Sequence, residues 1–199
     1  MIKFKSLTSF PQWRFWLPLC LQIALILTVP IQAAYTLIWG KTAILQTVPV
    51  DPYDLLRGYS QTLRYDISRP ENLRSLPGWE SLTRGTDAPI TEPFYVILAA
   101  PMGQSQQPWK AIALRRDRPL NLPDNQVAIQ GKMSGYTWID YGLEAYYFPE
   151  EQQQEISRAI SEAMSRSGEK PSLTVEVKID DRGNAVPISL WVGDRRYQF

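Results

Sequence analysis

Between Arg14 and Lys41 the chain runs for 26 residues, Phe15 to Gly40, without one charged side chain. At about 1.5 Å per residue a helix through it is about 39 Å long, against the roughly 30 Å of a bilayer hydrocarbon core. That is enough to span with residues to spare, and the sequence therefore predicts a transmembrane anchor over 15–40.

The flanks set its direction. Lys3, Lys5 and Arg14 precede the run with no acid among them, and the first acid of the chain is Asp51. Such a bias keeps the N-terminus cytoplasmic and sends the rest of the chain outside. Trp13 and Trp16 at one end and Tyr35 and Trp39 at the other stand where amphipathic rings favour the headgroup level.

Two other readings of the segment stay open. A cleaved signal peptide would use Phe15 to Val29 as its apolar region and Ile31-Gln32-Ala33 or Gln32-Ala33-Ala34 as its cleavage site. Against it, apolar character resumes at Tyr35, Leu37, Ile38 and Trp39. A lipoprotein anchor on Cys20 would need a small residue where Leu19 stands. Pro18 and Pro30 each remove a backbone donor, so a kink or a late helix start is expected. Gln22 and Gln32 are polar in an apolar setting and suit either a second helix or a reach toward water.

Beyond the anchor, residues 41–199 hold 18 Lys plus Arg against 20 Asp plus Glu, once the three N-terminal cations are set aside. No basic footprint for nucleic acid exists there. The length suits one domain with a real core. Cys20, the single cysteine, lies in the anchor, so neither an internal disulfide nor a thiolate metal site is available outside. The chain has no histidine. Imidazole is the usual base near neutral pH and the commonest zinc ligand, so Ser-His-Asp, Cys-His and ordinary zinc hydrolysis are excluded. Paired carboxylates, a Ser-Lys dyad, or no catalysis remain, and neither a metal nor a cofactor is expected.

Along the outer segment, Lys41 to Val50 reads as an exit from the anchor, with Pro49 and Pro52 ending any helical continuation. Asp51 to Gly58 reads as a turn or a single helical turn, and Gln61 to Ser68 as a strand with Leu63, Tyr65 and Ile67 on one face. Arg69 to Pro93 reads as a long loop. Phe94 to Ala100 and Trp109 to Arg116 form a hairpin; Pro119 to Gln126 is a connector; Val127 to Met133 and Tyr136 to Tyr141 are further strands. Pro149, Glu150 and Glu151 open a helix whose Ile156, Ala159, Ile160, Ala163 and Met164 recur at helical spacing until Ser167-Gly168.

Leu173, Val175, Val177 and Ile179 alternate with polar residues, and after Asp180 to Asn184 the alternation resumes at Val186, Ile188, Leu190 and Val192. Pro187 on the solvent face of this terminal hairpin suggests an edge strand. The fold class expected is an N-terminal transmembrane helix followed by a mainly-β (α+β) domain of antiparallel sheet with one packed helix, divided as 1–14, 15–40 and 41–199.

The segment Leu56-Arg57-Gly58-Tyr59-Ser60-Gln61-Thr62-Leu63-Arg64-Tyr65 resembles the signature of the GDYXXLXY family of membrane-anchored proteins. Gly58, Leu63 and Tyr65 match it, while Tyr59 and Ser60 stand where that family has aspartate and its first tyrosine. The resemblance extends through Asp51-Pro52, the Phe94 to Arg116 pair, Gly131-Lys132, Tyr141-Gly142-Leu143-Glu144, Tyr147-Phe148-Pro149-Glu150 and Asp181-Arg182-Gly183. It implies an outer β-rich domain and a setting beside multipass membrane proteins; the family is functionally uncharacterised.

Candidate binding residues are Arg57, Gly58, Tyr65, Trp138, Tyr141, Glu144 and Tyr147. Gly58 serves either close ligand approach or a positive-φ turn. Arg57, Tyr65 and Asp66 make either a recognition patch or, for Tyr65, a core ring with its hydroxyl satisfied. Tyr136, Trp138, Tyr141, Tyr146, Tyr147 and Phe148 crowd beside Asp140 and Glu144, as in a sugar platform, a protein-binding hot spot or a core layer. Asp140 with Glu144, or Glu144 with Glu150, could serve as an acid–base pair, and Ser60 with Lys132 as a serine–lysine dyad. The expectation is a non-catalytic accessory or binding subunit for a multipass membrane partner, tethered in the lipid bilayer. The alternative is an extracytoplasmic hydrolase or glycan-binding domain.

Overall fold

The computed structural model describes residues 13–47, 61–62, 64–83, 90–101, 103, 107–135, 137–146, 155–156, 158–159, 162 and 173–198. The apolar run forms helix α1 (Trp13–Trp39), with Pro18 and Pro30 inside it. Its halves, Trp13–Thr28 and Pro30–Trp39, meet at 42°. Proline explains the bend, because its ring strips one donor from the ladder and crowds the preceding turn. No single straight helix among the described residues is long and apolar enough to cross a membrane; the bent pair together could by length and composition.

One residue, Gly40, separates α1 from strand β1 (Lys41–Gln46). This stretch was expected as a simple exit. Instead it pairs antiparallel along its whole length with β8 (Thr174–Ile179), from Lys41 opposite Ile179 to Gln46 opposite Thr174, and buries Ala43, Ile44 and Leu45. Strand β8 continues to β9 (Ala185–Val192) and β10 (Arg195–Gln198), giving a four-stranded antiparallel sheet ordered β1-β8-β9-β10. The expected terminal hairpin is therefore present, but β9 is not a sheet edge. Pro187 fits because the β8–β9 register shifts between Glu176 and Val177, and because β10 pairs only with Ser189 to Val192. Locally it sits at a bulge with one neighbour.

The second sheet is ordered β4-β3-β5-β6. Strands β3 (Phe94–Ala99) and β4 (Lys110–Arg115) form the expected hairpin, β5 (Gln126–Ser134) pairs on the other side of β3, and β6 (Trp138–Asp140) folds back on β5. A small antiparallel pair joins β2 (Gln61–Thr62) to β7 (Ala145–Tyr146). Leu45, Val175, Val177 and Leu190 of the first sheet and Phe94, Val96, Leu98 and Ile129 of the second belong to one buried cluster. The fold is thus mainly β, with the inner faces of its antiparallel sheets sharing a core.

Further expectations change. Gln61 to Ser68 is not one strand: after β2 the chain makes an isolated bridge from Tyr65 to Thr47 and then a 3-10 turn at Asp66–Ser68. Burial of Tyr65 and Ile67 comes from that turn rather than from alternation. The supposed loop at 69–93 contains helices α2 (Pro70–Leu73) and α3 (Trp79–Thr83), whose Leu73 and Leu82 enter the core. Helices this short show no period in sequence. So more than one helix packs on the sheets. In the segment expected as the principal helix, residues 155, 156, 158, 159 and 162 are helical and Ile156 and Ala159 are buried, whereas Ile160, Ala163 and Met164 lie outside the described residues.

Candidate functional site

The signature segment and the Tyr141 segment are stitched to each other. The Tyr65 hydroxyl donates to the Leu143 carbonyl at 3.1 Å, and the Tyr141 hydroxyl donates to the Ile67 carbonyl at 2.7 Å. The β2–β7 pair joins the same two stretches. Tyr65 is fully buried and Tyr141 nearly so. Burial, reinforced by the nearby Glu144 carboxylate, pushes the Tyr141 phenol well above its ordinary range, so it stays a neutral donor. Glu144 in turn accepts the Tyr141 backbone N–H at 2.5 Å. Tyr141 and Glu144 are thus bonded to each other, Tyr65 is bonded to the Leu143 carbonyl that lies between them in sequence, and both tyrosine rings are buried.

Trp138 is half-buried, and the Arg64 guanidinium lies 3.9 Å from its ring centroid, with Arg69 at 6.0 Å. One face of the indole is thereby occupied by a cation, an arrangement worth about 0.5–1 kcal/mol at an exposed site. Arg57, Gly58 and Tyr147 lie outside the described residues, as do Tyr136, Phe148, Glu150 and Ser60; the last two remove from view the Glu144–Glu150 pair and the Ser60–Lys132 dyad. Asp140 is exposed, and Glu144 is already engaged by the Tyr141 backbone N–H.

Residues Asp66 and Ile67 of the 3-10 turn also line a cleft of about 640 Å³. Leu45, Asp66, Asn72, Gln107, Trp109 and Lys110 line it. Trp109 is seated by its backbone N–H, which donates to the Ile44 carbonyl of β1 at 2.8 Å. Asn72 donates through its side chain to the Asp66 carbonyl at 2.7 Å, closing the turn. Burial raises the Asp66 carboxyl above its ordinary range, partly offset by the positive charge of Arg69. An indole, an amide and one carboxylate suit binding of a small polar ligand. A carboxylate pair for acid–base work is not among the described lining residues, and no group of three His, Cys, Asp or Glu able to hold a metal occurs among the described residues.

A polar centre with four donors on one carboxylate was read in the sequence only as a turn. Asp180, buried at the end of β8, accepts from the backbone N–H groups of Arg182 at 2.8 Å and Asn184 at 2.9 Å, and from the Asn184 side chain at 3.0 Å. Its fourth donor is the Thr36 hydroxyl of α1, at 2.8 Å and 144 residues away in sequence. Burial pulls this carboxyl up, but the hydrogen bonds from Asn184, Thr36 and the turn backbone outweigh it and hold the group below its ordinary range. Thr36 has no exposed surface, whereas every other described α1 side chain except Leu19 is exposed.

The same turn reaches the second sheet. Gly183, at φ +89°, accepts the Gln130 N–H of β5 at 2.9 Å, and a Cβ there would stand 2.9 Å from the Gln130 nitrogen and from the Tyr95 ring. Arg118, in the β4–β5 connector, pairs with Asp181 at 2.6 Å. Residues 180–184 therefore tie α1 and both sheets together. Gly40 completes the joint: its N–H donates to the Thr36 carbonyl at 2.9 Å, and a Cβ would collide with that oxygen and with the Ile179 backbone. A threonine four residues before a glycine, inside an apolar run, was the available signal.

Comparison with curated proteins gives no match, and comparison with solved structures gives none either. The family described as GDYXXLXY protein matches residues 22–190, a span that includes the lower part of α1, the stitched signature and the 180–184 turn. The chain belongs to the GDYXXLXY family.

Proposed function

We propose that this protein is a single-pass, N-in membrane subunit whose domain, residues 41–199, stands outside the membrane and serves a multipass membrane partner as a non-catalytic binding or accessory element. The observation that carries this reading is the Thr36–Asp180 hydrogen bond, because it makes the apolar helix and the β domain one mechanical unit. A predominantly apolar helix with nearly every described side chain exposed wants lipid or another helix around it. A domain rigidly held at such a helix meets a neighbouring membrane protein in a fixed pose and at high effective concentration. Exposed Gln22 and Gln32 on α1 supply hydrogen-bonding groups for a second helix. Affinity purification of the full chain in mild detergent, followed by mass spectrometry, tests the proposal: one multipass membrane protein should co-purify reproducibly. Recovery of the chain alone, or only as a cleaved soluble form, would sink it.

A second reading, a glycan-binding or hydrolytic domain of the cell envelope, draws on the cleft that places Trp109 with Asp66 and Asn72. An indole beside amide and carboxylate groups is the usual furniture of a sugar subsite. Glycan-array binding that disappears in Trp109→Ala would favour it, and a blank array would remove it.

A further inference from the structure

Outside α1, Leu120 is 75% exposed and Ile112 37%, and among the described residues these are the only large apolar side chains left open to solvent there. Leu120 does not sit at random. It lines one cleft of about 360 Å³ together with Trp39, the last residue of α1, which is 73% exposed. Leu122, Lys41 and Arg118 line the same cleft. Asn121 holds φ +59°, a left-handed turn that asparagine tolerates, at the tip of the connector.

We propose that the Arg118–Leu122 connector is a second membrane contact, which inserts Leu120 into the phospholipid interface of the leaflet nearest Trp39. This rests on the anchored reading of α1. The occupant follows from continuity: Trp39 ends the apolar helix at headgroup level, and a side chain sharing its cleft meets the same layer. Lys41 and Arg118 fit that depth, since long cationic side chains lay their stems on apolar surface and keep their heads at the phosphates. Their carboxylate neighbours, Asp124 at 3.6 Å from Lys41 and Asp181 at 2.6 Å from Arg118, keep the patch near neutral, so apolar insertion and not anionic-lipid attraction dominates. With α1 joined to the sheet at Thr36, a second contact at Leu120 sets the tilt of the domain on the bilayer.

The test uses the full chain carrying Cys20→Ser with either Leu120→Cys or Asp194→Cys, each labelled with an environment-sensitive nitrobenzoxadiazole dye. Both are reconstituted in phosphatidylcholine vesicles, with and without phosphatidylglycerol. Asp194 lies in the β9–β10 turn, beyond the end of β9 opposite Ala185, the residue that pairs with Ile179, and the seven steps from Ala185 to Val192 at about 3.4 Å each put it about 24 Å away. Headgroup-proximal spin-labelled lipid should quench the dye at 120 several-fold more than at 194, equally in both vesicle types. Equal quenching at the two positions in vesicles that retain the protein through carbonate washing would overturn the proposal. Loss of the protein from the vesicles on washing would instead overturn the anchored reading and the contact with it.

Discussion

The Thr36 hydroxyl lies 2.8 Å from the Asp180 carboxylate, joining the last turns of an apolar helix to the β8–β9 turn. The pairing runs against the helix dipole, because a carboxylate near a helix C-terminus meets partial negative charge, a penalty of about 0.3–1 kcal/mol. Four donors on one carboxylate decide the balance, since hydrogen bonds to a charged group contribute about 1.5–3 kcal/mol each. The joint stands on directed hydrogen bonds rather than on charge attraction.

Replacing Thr36 by Val should therefore lower the unfolding free energy of the full chain in mild detergent by about 1–2 kcal/mol, as a buried carboxylate loses one of its partners. Thr36→Ser keeps the hydroxyl and should stay close to the parent. Chemical unfolding followed by fluorescence measures the difference. Equal stability of the Val variant would mean the hydrogen bond holds nothing.

Because the folded Asp180 carboxyl titrates below its unfolded value, its contribution is complete above the unfolded pKa of about 4 and is lost as pH falls through the lower, folded value. Melting temperature should drop below about pH 4 in the parent chain, and Asp180→Asn should flatten part of that drop while lowering stability at neutral pH. An unchanged acid profile in the Asn variant would contradict the assignment.

Tyr65→Phe and Tyr141→Phe each leave a buried carbonyl without its donor, at Leu143 and Ile67 respectively, and should destabilise by about 1–2 kcal/mol apiece. Since both bonds bind the same two segments, the double variant should cost less than the sum. Strict additivity in a double-mutant cycle would show the bonds to be independent.

Gly183→Ala meets strain from two sources, a left-handed φ and a Cβ 2.9 Å from the Gln130 nitrogen. A loss of about 2 kcal/mol or more is expected, together with faster amide exchange at Gln130. Retained protection of the Gln130 amide would argue that the turn does not tie the sheets.

Period-two alternation marked the β8–β9 hairpin in the sequence, whereas β3 was legible as a short continuous apolar run, as befits a strand between β4 and β5 with no exposed residue. Strand β1 was hidden: its two exposed residues followed by three buried ones read as a continuation from the anchor. Helices α2 and α3 span barely one turn and give no period. In the candidate site, Tyr65 and Tyr141 were named in separate groups, Tyr65 with Arg57 and Asp66 and Tyr141 with the aromatic run, because their bonds to the Leu143 and Ile67 carbonyls span 74 to 78 residues and no local pattern carries them. Asp180 and Thr36 are farther apart still, and each looks ordinary alone: one opens a turn, the other is a small polar residue in an apolar helix.

Photo-crosslinking from α1 tests the central claim of a clamped subunit serving a membrane partner most directly. A photoreactive phenylalanine at Gln22 or Gln32 of the full chain in native membranes should capture one multipass membrane protein, and should do so from one helix face. Crosslinks that are absent, or spread over unrelated proteins, or a chain recovered in the soluble fraction without its first 34 residues, would contradict it.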